Sequence, residues 1–285
     1  MVILNYSTLI STEDFSAQVN NPTWVTIDCR FSLAEPESGR QAHEKAHIPG
    51  SIYAHLDQDL SGPIITGQTG RHPLPEVDVF SNRLGHWGVG PGVQVVLYDD
   101  SGGAIAARLW WMLRWLGHDA VAVLNGGWPL WVAEGRPTQS GLESYQSRRF
   151  TPRPRPSMLI STRVVNQKRN EPGSCLYDSR SADRYRGENE TIDPVAGHIP
   201  GATSAPYLDN IDPSGLFFSQ EHLRNRFLIL LDGQPPEKAI FYCGSGVTAA
   251  HNLLALAYAG LGNGRLYAGS WSEWITDPSR PVSRS

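Results

Sequence analysis

Short apolar runs alternate with longer helix-like ones along this chain, and the alternation occurs twice. Trp24-Val25-Thr26-Ile27-Asp28, Gln94-Val95-Val96-Leu97-Tyr98 and Ala120-Val121-Ala122-Val123-Leu124 are almost continuously apolar, the pattern of strands covered on both faces. Between the last two, Ala104 to Leu116 is apolar and long enough for a helix. In the second half Ser174 to Asp178, Ala239 to Tyr242 and Arg265 to Tyr267 take the corresponding places, and Val247 to Gly260 reads as a helix. Short buried strands alternating with helices predict an α/β fold in which each half is a mainly parallel sheet with helices on both faces. Ligands in such sheets bind at the carboxyl ends of the strands. Asp178 and Cys243 both stand at such ends and are expected to face one pocket.

The two halves also share words. Asp28-Cys29-Arg30 returns 150 residues later as Asp178-Ser179-Arg180, and His47-Ile48-Pro49-Gly50 returns 151 residues later as His198-Ile199-Pro200-Gly201. Tyr98 before Asp99-Asp100-Ser101-Gly102 matches Tyr242 before Cys243-Gly244-Ser245-Gly246, and Gly127-Trp128 matches Ser270-Trp271. Four pairs in one order at nearly one offset mean a duplicated domain, not a solenoid of short repeats. The boundary lies in a polar stretch that ends in Thr151-Pro152-Arg153-Pro154-Arg155-Pro156, whose alternating prolines favour an extended polyproline segment. The expected domains are residues 1–139 and 158–285, joined by a linker at 140–157.

Composition narrows the partners. Hydrophobic residues make up 40% of the 285 and charged ones 18%, with a net charge of −4, too mild to point to nucleic acid or an anionic membrane. No apolar run is long enough to span a bilayer, and the first residues, Met1 to Ser7, lack the form of a secretory signal. Three cysteines argue against a disulfide framework and for a reducing compartment, so a cytoplasmic location is expected. No Cys-x-x-Cys or His-x-x-x-His spacing suggests a metal, and no cofactor is implied.

Cys243 is the residue with chemistry to explain. It stands where a buried strand ends and a helix begins, and Gly244 and Gly246 let the backbone curl so that N–H groups point at the sulfur. The helix N-terminus adds partial positive charge, and both effects favour the nucleophilic thiolate. A packing cysteine has no need of the Gly-Ser-Gly turn. Cys29 and Cys175, inside strands, read as core.

With paired domains, two His-Ile-Pro-Gly turns, Asn125-Gly126-Gly127-Trp128 and a six-residue loop opened by Cys243, the chain resembles the two-domain rhodanese family of sulfurtransferases over nearly its whole length. The resemblance implies that Cys243 takes a sulfane sulfur from a small-molecule donor, becomes a persulfide and passes the sulfur to a thiol, cyanide or a thioredoxin-like acceptor. It also implies a silent first domain, because Asp99 stands at the cysteine position. Relatives that use thiosulfate tend to carry cations just after the cysteine. Cys243-Gly244-Ser245-Gly246-Val247-Thr248 is uncharged and resembles the 3-mercaptopyruvate sulfurtransferases. A monocarboxylate donor then needs a cationic anchor, and Arg184 and Arg186 are the candidates, because a guanidinium fork matches a carboxylate. Such enzymes usually place another arginine before the second His-Ile-Pro-Gly, but Gly187 to Asp193 contains none. Thiosulfate therefore stands as the alternative donor, and a non-enzymatic sulfur carrier as the alternative role.

Gly244, Gly246 and Val247 are expected to line the donor site through the loop backbone, and Thr248 either turns its hydroxyl to the sulfur or caps the helix. Ser245 has two readings: the resemblance implies a serine–histidine–acid relay with His47, and the residue is equally a small one suited to a tight loop; His47 itself reads as structural, since its twin His198 stands in the same turn. Asp178 is either catalytic or a binder of loop N–H groups, and His251 is expected to pack. Phosphatases that share the fold need arginine six residues after the cysteine; here that position is Ala249, which excludes the class. A monomer suffices for this chemistry.

Overall fold

The computed structural model describes residues 6–284. The chain forms two compact units. The first holds the chain up to Gly62, Pro75–Pro154 and Pro213–Phe217; the second holds Pro63–Leu74, Arg155–Asp212 and Phe218–Ser285. The proline-rich stretch belongs to the first unit as far as Pro154. There the Tyr145 hydroxyl accepts the Thr26 N–H at 3.0 Å, and the Arg153 N–H donates to the Leu116 carbonyl at 2.8 Å.

The first unit is a five-stranded parallel sheet of β1 (Leu9–Ile10), β2 (Trp24–Asp28), β3 (Ile52–Tyr53), β4 (Gln94–Tyr98) and β5 (Val121–Leu124), in the order β1-β5-β4-β2-β3. The second has β6 (Leu176–Asp178), β7 (Thr203–Ser204), β8 (Ile240–Tyr242) and β9 (Arg265–Leu266), again parallel, in the order β7-β6-β8-β9. A single parallel bridge from Leu159 to Leu266 stands where β1 pairs with β5 in the first unit. β4 is buried at all five positions, as its unbroken apolar run requires. The two-residue strands β1, β3 and β7 are too short to show a period in sequence.

The shared words turn out to be structural parts. In each His-Ile-Pro-Gly turn the isoleucine N–H donates to the tyrosine that ends the central strand: Ile48 to Tyr98 at 3.3 Å and Ile199 to Tyr242 at 3.1 Å. Each histidine is held by a backbone carbonyl, His47 Nδ1 at 2.7 Å from His43 and His198 Nδ1 at 2.8 Å from Tyr185. Gly201, at φ +85°, lies so close to the Arg169 carbonyl that a Cβ would sit 2.3 Å from its oxygen. Asp28 and Asp178 accept from the arginine two residues on, and each guanidinium lies over a tryptophan, Arg30 over Trp128 at 4.4 Å and Arg180 over Trp271 at 4.8 Å. The repeated motif thus pins the strand ends that carry the two loops. No helix among the described residues is long and apolar enough to cross a membrane.

Candidate active site

β8 delivers Cys243 to the top of the second sheet, and the helix Thr248–Tyr258 begins five residues later. The loop between them is fixed by its backbone. The Gly246 N–H donates to Cys243 Sγ at 3.1 Å. Gly246 has φ +76°, and a Cβ there would lie 2.3 Å from the Ala268 carbonyl oxygen, so only glycine fits. From the neighbouring turn, Trp271 and Ser272 donate N–H groups to the carbonyls of Cys243 and Gly244, both at 2.9 Å. The Ser270 hydroxyl accepts the Cys243 N–H at 3.0 Å and donates to the Tyr267 carbonyl at 2.9 Å. Ser270 holds φ +56° although it is not glycine, whereas its twin Gly127 has φ +52°. Such a conformation costs about 1–3 kcal/mol and persists where the surroundings enforce it; here the serine hydroxyl orients the backbone of Cys243.

Two residues from the segment 63–74, which belongs to this unit, complete the site. His72 is buried, with Nδ1 2.7 Å from Ser245 Oγ. Arg71 donates its N–H to Ser272 Oγ at 3.0 Å, and its guanidinium reaches the Asp193 carboxylate. A Cβ on Gly244 would lie 2.9 Å from Arg71 Nη2 and 3.7 Å from Arg184 Nη2. Two guanidiniums therefore converge over Gly244, and the loop that carries no charge of its own lies beneath two cations.

Arg184 Nη2 is 2.9 Å from Glu190 and 3.0 Å from Asp193. Glu190 also reaches Arg180 at 3.2 Å. Burial opposes ionisation of Glu190, but hydrogen bonds from Arg184 and from the backbone of Asp193 and Ile192 outweigh it and hold the carboxyl below its ordinary range. Arg71 and Asp193 also line an open cleft of about 380 Å³ with Ile64, Thr69, Ile192 and Ile275.

Several expected residues fall elsewhere. His47 is not the partner of Ser245; it is fully buried in the first unit, its Nδ1 bonded to His43 and its ring stacked on His43 at 4.1 Å. His72 takes the position beside Ser245. Arg186 is an exposed residue paired with Glu188 at 2.7 Å; it is Arg184 that reaches Gly244, because residues two apart on a helix point to different sides. Asp178 is fully buried and accepts the N–H of Arg180, in the loop that follows its strand, as well as the Arg180 guanidinium. Thr248 opens the helix, whose cap position is Val247, without a side-chain cap. His251 is buried against Asn210. The sequence signal for Arg71 and His72 was slight: two polar residues between Gly70 and Pro73 in a segment with no counterpart among the repeated words.

The family model described as a rhodanese-like domain matches residues 11–134 and again 161–277. A Pseudomonas aeruginosa protein described as a probable 3-mercaptopyruvate sulfurtransferase is 47% identical over 276 residues, 96% of this chain and 97% of its own length. Mouse thiosulfate sulfurtransferase is 31% identical, over 95% of this chain and 92% of its own length. The structure of 3-mercaptopyruvate sulfurtransferase from Leishmania major superposes with a TM-score of 0.83 at 30% identity, covering 96% of this chain and 75% of that one.

Proposed function

Because the chain belongs to the rhodanese family, we propose that it is a sulfurtransferase that takes sulfane sulfur from 3-mercaptopyruvate on Cys243 and delivers it to a thiol or to cyanide. One observation carries the donor assignment: the guanidiniums of Arg71 and Arg184 meet over Gly244, next to a serine–histidine pair. A 3-mercapto-2-oxo acid whose carboxylate lies on the arginines has its ketone carbon one bond away, within reach of Ser245, and its thiol sulfur two bonds further, toward Cys243.

The steps balance without a redox partner. The Cys243 thiolate attacks the donor sulfur; the S–S bond forms and the C–S bond breaks. The electron pair leaves with carbon as the pyruvate enolate, which takes up the proton the thiol carried and departs as pyruvate. Ser245 and His72 lower this barrier by hydrogen bonding the ketone oxygen as it gains charge, an effect of about 10²–10⁴-fold for a positioned acid or base. A thiolate or cyanide then attacks the outer sulfur and restores Cys243, the two-step course expected of a covalent intermediate.

Every residue gathered around Cys243 comes from one unit, so a monomer suffices. The three cysteines are free, which fits a reducing cytoplasm. Thiosulfate is the second reading, favoured by the presence of two cations where the loop alone has none.

The test is a side-by-side steady-state assay of 3-mercaptopyruvate and thiosulfate, with mass measurement of the enzyme after donor alone. The expected result is a higher kcat/KM for 3-mercaptopyruvate and a gain of about 32 mass units, lost on reduction and absent in Cys243→Ser. A preference for thiosulfate would replace the donor and keep the persulfide chemistry.

A further inference from the structure

The charges over Gly244 cancel in pairs. Arg71 and Arg184 supply two positive charges, and Asp193 and Glu190, both buried, supply two negative ones. The four do not play equal parts. Glu190 is also held by Arg180 and by the N–H groups of Ile192 and Asp193, so it is built into the fold behind Arg184. Asp193 joins the two guanidiniums that face Gly244, one carboxylate oxygen to Arg71 and the other to Arg184 at 3.0 Å. Its side chain is 1% exposed, whereas those of Arg71 and Arg184 are 26% and 16% exposed. The carboxylate is thus sealed behind the cations it partly neutralises, and the donor meets the cations.

We propose that Asp193 is a specificity-determining residue that sets the charge of the donor seat so that it favours a monoanion over a dianion. The proposal rests on Cys243 sulfur transfer with an anionic donor. Coulombic attraction scales with the charge on each partner, so a seat with a surplus positive charge gains more from a dianion than from a monoanion. Removing the Asp193 charge while keeping its shape leaves that surplus. Removing the charge of Arg71 has the opposite sign.

The experiment compares kcat/KM for thiosulfate and for 3-mercaptopyruvate in the wild type, Asp193→Asn, Asp193→Glu and Arg71→Gln, and repeats the ratio at 0.05 and 0.5 M salt (order-of-magnitude choices that bracket strong and weak screening). Asp193→Asn is expected to raise the thiosulfate-to-mercaptopyruvate ratio by about tenfold at low salt, with a smaller change at high salt. Asp193→Glu, which keeps the charge, is expected to hold the wild-type ratio, and Arg71→Gln to lower it. A ratio that stays within about twofold in both charge-changing variants, or moves the same way in both, overturns the proposal. Should Asp193→Asn not fold, the Arg71→Gln ratio decides alone. A wild type that ignores 3-mercaptopyruvate defeats the donor assignment instead; the proposal is then read from competitive inhibition by sulfate against acetate, with the same signs expected.

Discussion

The loops after β4 and β8 are the same device put to different ends. In the first unit Asp99 stands at the cysteine position. Its carboxylate accepts N–H groups from Ser101 at 2.9 Å and from Gly103, Ile105 and Ala106 at 2.8 Å. The cradle of backbone donors is therefore filled by the chain's own anion. In the second unit Cys243 stands there, with the Gly246 N–H on its sulfur. A cysteine side chain is an atom shorter than an aspartate, and a persulfide restores that atom. The two loops are not hydrogen-bonded alike: the Ala106 N–H reaches Asp99 at 2.8 Å, whereas the N–H of Ala250, at the same offset from Cys243, donates to the Val247 carbonyl at 3.1 Å. The second difference lies in the loops and around them: Asp100 stands where the second unit has Gly244, and Arg71, Arg184 and His72 gather around the second loop. A loop at the end of the central strand is common to both units; the cysteine and the two arginines over its loop belong to the second.

The largest expected effect tests the nucleophile. Cys243→Ser should reduce sulfur transfer to below about 0.1% of wild type, because losing a covalent nucleophile costs orders of magnitude; activity above a few per cent would sink the assignment. Asp99→Cys placed in that background asks whether a cradle alone is enough. It should stay below about 1% of wild-type transfer, since pre-organised charge and positioning supply much of the rate, and recovery would show the seat to be dispensable. A drop of about 10²-fold in kcat with 3-mercaptopyruvate is expected for Ser245→Ala or His72→Ala. Their double variant should fall little further, because the pair acts as a unit; additive losses would separate the two residues.

Asp99→Asn tests the first loop as structure. It keeps the shape but weakens four charge-assisted hydrogen bonds, and should lower stability by about 1–3 kcal/mol in urea unfolding, with persulfide formation on Cys243 retained. The smallest effect is on acid stability. Burial opposes ionisation of Asp28, but hydrogen bonds from His43 and Arg30 outweigh it, and the carboxyl lies below its ordinary range. Glu190 is lowered in the second unit. A depressed carboxyl adds stability that is full above its unfolded pKa, about 4, and is lost as pH falls through the folded value. The urea midpoint should therefore fall as pH drops below about 4, and Glu190→Gln should flatten that fall. An unchanged slope would mean that Glu190 contributes nothing to acid sensitivity.

The chain's own order of residues settled a good deal. Buried parallel strands must be apolar along their length, so β2 and β4 were legible to the residue, and β5 and β8 nearly so. A duplicated fold leaves its words at a constant offset, so the two rhodanese-like domains could be read from Asp-x-Arg, His-Ile-Pro-Gly and the Trp turn. A nucleophile between a strand and a helix, flanked by glycines, is a local pattern, which is why Cys243 could be named. What the tertiary structure decided is long-range. Ser245 and its histidine are 173 positions apart, and Arg71 and Asp193 are 122 apart. No periodicity links such pairs, because residues in irregular loops meet only through the packing of everything between them. His47 drew attention through the family resemblance, while the repeat of its turn pointed to structure, and that turn clamps Tyr98. His72 and Arg71, in a stretch that does not repeat, are residues that packing brings to the loop of Cys243.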